Sequence, residues 1–148
     1  MLDLDRLRAW KDGVVAKLTA GLGQIRKRRN VRFIQGRARL LDGHTLAIDK
    51  VPGSERETVP FDYGIIATGS APTRLPFLLN MPRVMDSTAA LEIRDVPERL
   101  LVVGGGYIGL ELSTVYATLG SKVTVVEMTS GLLPGADRDL VDFLARRL

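Results

Sequence analysis

Three glycines and two acids in the stretch "LLVVGGGYIGLELSTVYATLGSKVTVVEM", residues 100–128, have the types and spacing to do chemistry. Gly104, Gly106 and Gly109 follow the G-x-G-x-x-G pattern. Glu127 stands 18 positions after Gly109, close to the roughly 20 that separate turn and acid in a dinucleotide-binding unit. The chemistry would be the capture of a pyrophosphate. Gly104 permits the tight turn, Gly106 lets the backbone approach the phosphates, and Gly109 lets helix and strand lie close together. The unpaired N–H groups and positive dipole end of the following helix would hold the anion. Glu127 can accept hydrogen bonds from a ribose diol but would repel a 2′-phosphate, so NAD is favoured over NADP. Glu111 has two open roles: dipole complementarity near the helix N-terminus, worth about 0.3–1 kcal/mol, or a hydrogen bond to the carboxamide of a nicotinamide.

A glycine turn works only between the right elements. "RLLVV" before Gly104 is a short β-branched run of the buried-strand type. After it, Ile108, Leu112, Val115 and Leu119 recur along one helical face, and Gly120 sits where a helix end favours a left-handed residue. "KVTVVE" reads as a second buried strand. "DSTAALEIRDVP" upstream reads as a short helix capped by Asp86 or Ser87, and "GADRDLVDFLARRL" as a final helix capped by Asp137.

The preceding half is of another kind. Leu4, Leu7, Trp10, Val14, Leu18, Leu22 and Ile25 mark one long amphipathic helix that stops near Asn30, weakened by Gly13, Gly21 and Gly23. "VRFIQGRARLL" reads as a strand in which Gly36 marks a bulge or a close backbone contact. Asp42-Gly43 signals a hairpin, with "HTLAI" returning. After the turn "VPGSERE", "VPFDYGIIATGS" ends in an apolar run of the buried-strand type. "APTRLPFLLNMP" holds three of the seven prolines and reads as an irregular connector. The boundary between the unlike halves falls at residues 86–98.

Composition narrows the possibilities. The 148 residues have the length of one ordinary domain, and 45% are hydrophobic, enough for a core. The absence of cysteine excludes a disulfide framework, a thiolate metal site and a redox dithiol within this chain. No apolar run approaches the roughly 20 residues that span a bilayer, and the start lacks a signal-peptide pattern, so the chain reads as soluble and cytoplasmic. No residue set points to a metal site. The net charge of +4 concentrates in "IRKRRNVR", residues 25–32. Without interleaved aromatics to stack bases, that cluster reads as a solvated helix end whose cations favour the negative dipole pole, rather than as a nucleic-acid surface.

"GGGYIGLELSTVYATLGSKVTVVE", "YGIIATGSAPTRLP" and "VVAKLTAGLGQIRKRRNVRFIQGRARL" together resemble the dihydrolipoamide dehydrogenases, within the pyridine nucleotide–disulfide oxidoreductase family. The likeness runs in order from about Val14 to the last residue. It implies an α/β fold of partial FAD- and NAD(P)-binding Rossmann-like domains of the three-layer type, with a small β-meander or hairpin in the N-terminal half. Residues 1–85 would be the later part of an FAD domain, with helix, hairpin and an "ATG" strand. Residues 86–148 would open an NAD domain. The resemblance assigns the turn of Gly104, Gly106, Tyr107, Ile108 and Gly109 to NAD, with Tyr107 gating the nicotinamide pocket. It places Glu111 at the nicotinamide and Glu127 at the adenosine ribose. It assigns Thr68, Gly69 and Ser70 to FAD, a stretch that otherwise reads as a strand ending in a turn, and Ala38 to a backbone contact with the FAD adenine.

The family also carries an earlier glycine fingerprint, a redox pair of cysteines and a His–Glu pair supplied across a homodimer. This chain has none of the first two, and its only histidine, His44, falls in the hairpin. The reading is therefore a central piece of a longer enzyme that passes electrons from dihydrolipoamide through a disulfide and FAD to NAD⁺. Taken alone, the piece would hold no catalytic residue and would be inactive. The full enzyme would be a homodimer serving lipoyl domains of a 2-oxo acid dehydrogenase complex, and the piece would self-associate through open sheet edges. Alternatives are a related flavoprotein (mercuric reductase, NADH oxidase or glutathione reductase type), or a non-catalytic nucleotide-binding module.

Overall fold

A computed structural model describes residues 2–73, 75–78 and 81–148. Arg74, Leu79 and Asn80, within the expected connector, lie outside the described residues. The chain divides into two compact units: residues 12–70, and residues 1–11 with 71–148.

Helix α1, Leu4–Arg28, runs unbroken through its three glycines. It carries Arg26, Lys27 and Arg28 in its last turn, where cations suit the dipole. Asn30 (φ +52°) adopts the left-handed conformation just beyond. The expected apolar stripe is present in sequence but not covered, since no residue of α1 is buried. Part of the basic cluster is used within the unit of residues 12–70. Arg26 lies over the Phe33 ring at 4.7 Å, and Arg32 pairs with Glu57.

That unit's sheet is a three-stranded antiparallel meander, β1 (Gly36–Asp42), β2 (Thr45–Lys50) and β3 (Arg56–Pro60), in the order β1-β2-β3. The Asp42-Gly43 signal gives the first turn, where Asp42 Oδ1 accepts the His44 N–H at 2.8 Å. His44 is exposed, its Nδ1 3.2 Å from the Phe61 carbonyl oxygen. Ala47 and Ile48 on the central strand are buried. The first strand is shorter than its sequence suggested, because Val31–Gln35 lack strand structure and pairing begins at Gly36. A Cβ at Gly36 would lie 2.5 Å from the Asp49 carbonyl oxygen, so this glycine marks a close backbone contact.

The run "GIIATGS" departs from expectation. Residues 64–70 form no strand, and Ile65 and Ile66 are exposed. An apolar β-branched run becomes a strand only when a neighbour takes up its N–H and C=O groups. Among the described residues none does.

The unit of residues 1–11 and 71–148 carries the strand–turn–helix–strand as expected. After a short 3₁₀ turn (Pro76–Leu78) come α2 (Ser87–Ala90), β4 (Arg99–Val103), α3 (Tyr107–Leu119), β5 (Lys122–Val126) and α4 (Arg138–Ala145). Strands β4 and β5 pair in parallel, with Leu101 opposite Thr124. Asp86 is the cap of α2, accepting the Ala89 N–H at 2.9 Å. Asp137 precedes α4 without a side-chain cap bond, so the expected capping role there is not realised. Gly120 (φ +114°) closes α3 in the left-handed conformation.

The core of this unit is Ala90, Ile93, Leu110, Tyr116 and Val141. The buried positions of α3 are Leu110, Ser113 and Tyr116 rather than the expected stripe, in which Ile108 and Val115 are exposed. Two polar groups make that offset affordable in free energy because each is satisfied. Ser113 Oγ donates to the Gly109 carbonyl at 2.6 Å, and the Tyr116 hydroxyl to the Ala90 carbonyl at 2.9 Å. One face of the two-stranded sheet is half-buried, through Leu100, Val102, Val123 and Val125. Leu101, Val103 and Val126 on the other are exposed. No helix among the described residues is long and apolar enough to cross a membrane.

Candidate functional site

The site is built at the carboxyl ends of β4 and β5, where open parallel sheets present their loops to ligands. Gly104 (φ +110°) ends β4 in a conformation that L side chains rarely adopt. Its N–H donates to the Val126 carbonyl at 2.8 Å, extending the ladder by one bond before the chain turns. Gly109 meets the backbone of that turn. A Cβ there would lie 2.2 Å from the Gly104 carbonyl oxygen and 3.3 Å from Val102 Cγ1. Gly106 is different, because a Cβ would meet nothing within 4 Å. It caps α3 in extended conformation without a side-chain bond.

The first helical bond of α3 runs from Leu110 N–H to the Gly106 carbonyl. The amides of Tyr107, Ile108 and Gly109 precede that bond and have no acceptor within the helix. Open space at Gly106, amides without an acceptor among the described residues and the positive dipole end coincide, which suits an anion.

Glu127 stands where β5 ends. Its carboxylate accepts the Gly105 N–H at 2.7 Å through one oxygen and the Thr129 N–H at 2.7 Å through the other. The Thr129 bond, then the Gly105 bond, hold its pKa down to about 2. The acid expected as a ribose acceptor therefore also ties the glycine turn to the second strand. The Gly105 and Thr129 amide bonds use two of the about four acceptor sites of a carboxylate.

Tyr107, Ile108 and Glu111 are exposed on the first turns of α3. Tyr107 and Glu111 are four residues apart and share a face. Gly104, Gly106, Tyr107, Ile108, Gly109, Glu111 and Glu127 thus lie around one turn. Thr68, Gly69, Ser70 and Ala38 belong to the unit of residues 12–70. Residues 68–70 are exposed there, with Gly69 at φ +76°. Ala38 lies exposed in β1, paired with Ile48.

Four further residues shape the turn and were not singled out from sequence. Gly105 is buried; a Cβ there would lie 2.6 Å from Leu132 Cδ2 and 3.2 Å from Glu127 Cβ. Its carbonyl accepts the Leu133 N–H at 2.9 Å. Thr129, Leu132 and Leu133 come from the segment after β5, which closes over the turn. The middle glycine of "GGG" was the available signal, since two glycines suffice for the fingerprint at that end.

The family model for pyridine nucleotide-disulphide oxidoreductases matches residues 3–148. The dihydrolipoyl dehydrogenase of Haemophilus influenzae is 47% identical over 148 residues, covering 99% of this chain and 31% of that protein. That of Vibrio cholerae is 45% identical, covering 99% and 30%. Among solved structures, a HOCl-induced flavoprotein disulfide reductase, RclA, from Escherichia coli, determined as a Cu(II) complex, matches with a TM-score of 0.78 and 33% identity, covering 96% of this chain and 32% of that one. LpdA from Mycobacterium tuberculosis matches with a TM-score of 0.81 and 25% identity, covering 99% and 33%. The chain spans about a third of the length of the curated relatives it matches.

Proposed function

This chain belongs to the pyridine nucleotide-disulphide oxidoreductase family, and from that premise we propose that it provides the NAD site and part of the FAD cradle of a dihydrolipoamide dehydrogenase. The family's cofactors are FAD and NAD, which when bound supply the hydride and electron chemistry. The reading assigns residues 1–85 to the FAD domain and 86–148 to the NAD domain. In the whole enzyme, electrons from dihydrolipoamide would reach NAD⁺ through a disulfide and FAD. That enzyme would be a cytoplasmic homodimer acting on lipoyl domains of a 2-oxo acid dehydrogenase complex.

The chain's own residues bind and orient. The amides of residues 107–109 would receive the pyrophosphate, with Gly106 leaving room for it. Glu127, ionised at every physiological pH, would take the ribose hydroxyls and repel a 2′-phosphate. Tyr107 and Glu111 would meet the nicotinamide end, one at the mouth of its pocket and one at the carboxamide. Thr68, Gly69, Ser70 and Ala38 would contact FAD. The redox dithiol is not among these residues, because the chain has no cysteine.

The observation that carries the reading is the Glu127 carboxylate bonded to the Gly105 amide beside an uncapped helix N-terminus. Titration of the chain with NADH, followed by nucleotide fluorescence, tests it. Saturable binding is expected, with no NADH formed from NAD⁺ and dihydrolipoamide by the chain alone. A flat titration overturns the nucleotide site, and lipoamide-dependent turnover by pure material overturns the assignment of chemistry.

A further inference from the structure

Arg138 is the first residue of α4, at the positive end of that helix dipole, where a cation is disfavoured. Its guanidinium is committed instead to the segment before it. Nη1 donates to the Leu132 carbonyl at 3.0 Å, Nη2 to Leu133 at 2.7 Å and to Ala136 at 2.9 Å, and Nε to Ala136 at 3.1 Å. These bonds gather three carbonyls of a segment whose backbone is otherwise unfavourable. Leu133 is left-handed at φ +49° without being glycine, a costly conformation, whereas Gly135 takes φ +92° freely. The planar guanidinium presents its donors as a rigid fork, so it holds the three carbonyls in one fixed geometry that a compact ammonium does not impose.

What that segment holds is the glycine turn. Leu133 N–H donates to the Gly105 carbonyl, and Leu132 packs against Gly105, where a Cβ would lie 2.6 Å from Leu132 Cδ2 and oblige that side chain to move. The Gly105–Gly106 peptide is planar and trans, so its N–H points opposite to its C=O. With the carbonyl fixed on Leu133, the Gly106 N–H is turned away from the segment, towards the open side of the turn. On the other flank, the Gly105 N–H is fixed by Glu127. The orientation of the Gly106 amide, which directly precedes the 107–109 amides, therefore depends on a side chain that lies outside the glycine motif.

We propose that Arg138 is a positioning residue for the nucleotide site: it locks the Leu132–Ala136 carbonyls so that Leu133 holds the Gly105–Gly106 peptide with its N–H facing the ligand. The inference rests on the nucleotide reading above. It differs from a general stabilising role because it predicts a local effect on two amides and a matching loss of affinity.

The test compares the 148-residue chain with Arg138→Gln and Arg138→Lys. Amide hydrogen exchange is measured without ligand, and NADH affinity by fluorescence. In Arg138→Gln the Leu133 and Gly105 amides should exchange about tenfold faster, with NADH affinity falling by a similar factor. Ladder amides of β4 and β5 should keep their protection. Arg138→Lys keeps the charge but not the fork, and should fall between the two in both measurements. Wild-type affinity in Arg138→Gln overturns the proposal, as does weakened binding with unchanged Leu133 exchange. Full wild-type behaviour in Arg138→Lys alongside a loss in Arg138→Gln would assign the effect to charge and also overturn it. If Arg138→Gln loosens the whole chain, Arg138→Lys decides by the same two readouts. Failure of the wild-type chain to bind NADH overturns the nucleotide reading, and this inference with it, before any variant is compared.

Discussion

Replacing Gly109 with alanine sets the close approach of helix and strand against helix propensity. The added methyl carbon would begin 2.2 Å from the Gly104 carbonyl oxygen, whereas carbon–oxygen contacts settle at about 3.3 Å or more. Helix α3 must therefore withdraw from the turn by roughly 1 Å, and the obstacle is backbone rather than a mobile side chain. Gly104 cannot swing aside cheaply, because its N–H is bonded to the Val126 carbonyl. Overpacking of this kind costs about 1–3 kcal/mol, and more where backbone is involved. Alanine within the helix returns about 1 kcal/mol. A net loss of about 1 kcal/mol, reaching about 2 because the obstacle is backbone, corresponds to a fall in Tm of roughly 2–8 °C for a chain of this size.

Gly106→Ala is the matched control. Its methyl would meet nothing within 4 Å and its φ of −76° suits any residue, so Tm should change by no more than a degree or two, about 0.5 kcal/mol. NADH affinity should nevertheless fall about tenfold, because that methyl occupies the approach to the amides. Thermal melts and NADH titrations of both variants separate packing from binding. A Gly109→Ala chain that melts with the wild type would refute the packing reasoning. A Gly106→Ala chain that binds NADH normally would refute the role of open space.

Other expected outcomes are narrower. Glu127 has a lowered folded-state pKa, so its stabilising contribution is present above the ordinary carboxylate value of 4.5 and is lost as pH falls towards about 2. The stability difference between wild type and Glu127→Gln should shrink across that window, and a pH-independent difference would refute the assignment. Tyr116→Phe removes the hydroxyl bonded to the Ala90 carbonyl and should cost about 1 kcal/mol by denaturant titration, with no loss of NADH affinity. Burial first, and then Asp95, raise the Tyr116 pKa. Its contribution is therefore held below the ordinary tyrosine value and lost as pH rises through the raised one; Tyr116→Phe should abolish that alkaline loss. The bare sheet face of Leu101, Val103 and Val126 should promote self-association, seen as concentration-dependent species in sedimentation. A single compact monomer at high concentration would contradict it.

The motif-bearing elements were readable from sequence because their signals are local. A β-branched run, a glycine turn, an apolar helix and Gly120 (φ +114°) each encode their own backbone conformation. The Asp42-Gly43 turn and the Asp86 cap are likewise short-range. Readings failed where long-range pairing decides. "GIIATGS" has strand composition but no neighbour to complete its hydrogen bonds among the described residues, and α1 has an apolar stripe with nothing buried beneath it. The core of α3 was misread because periodicity counts apolar residues, whereas Ser113 and Tyr116 enter the core by satisfying their hydroxyls. The clasp of Arg138 on three carbonyls has no sequence period, so nothing in the sequence marked the segment after Glu127 as part of the turn.

The central claim, a dinucleotide held on the glycine turn, is tested most directly by amide chemical-shift mapping of the chain during titration with NAD⁺. The largest perturbations should fall on residues 104–109 and on Glu127 and Met128, and NADP⁺ should reproduce them only at much higher concentration. Shifts confined to the basic segment of residues 25–32, or equal responses to NAD⁺ and NADP⁺, would contradict it.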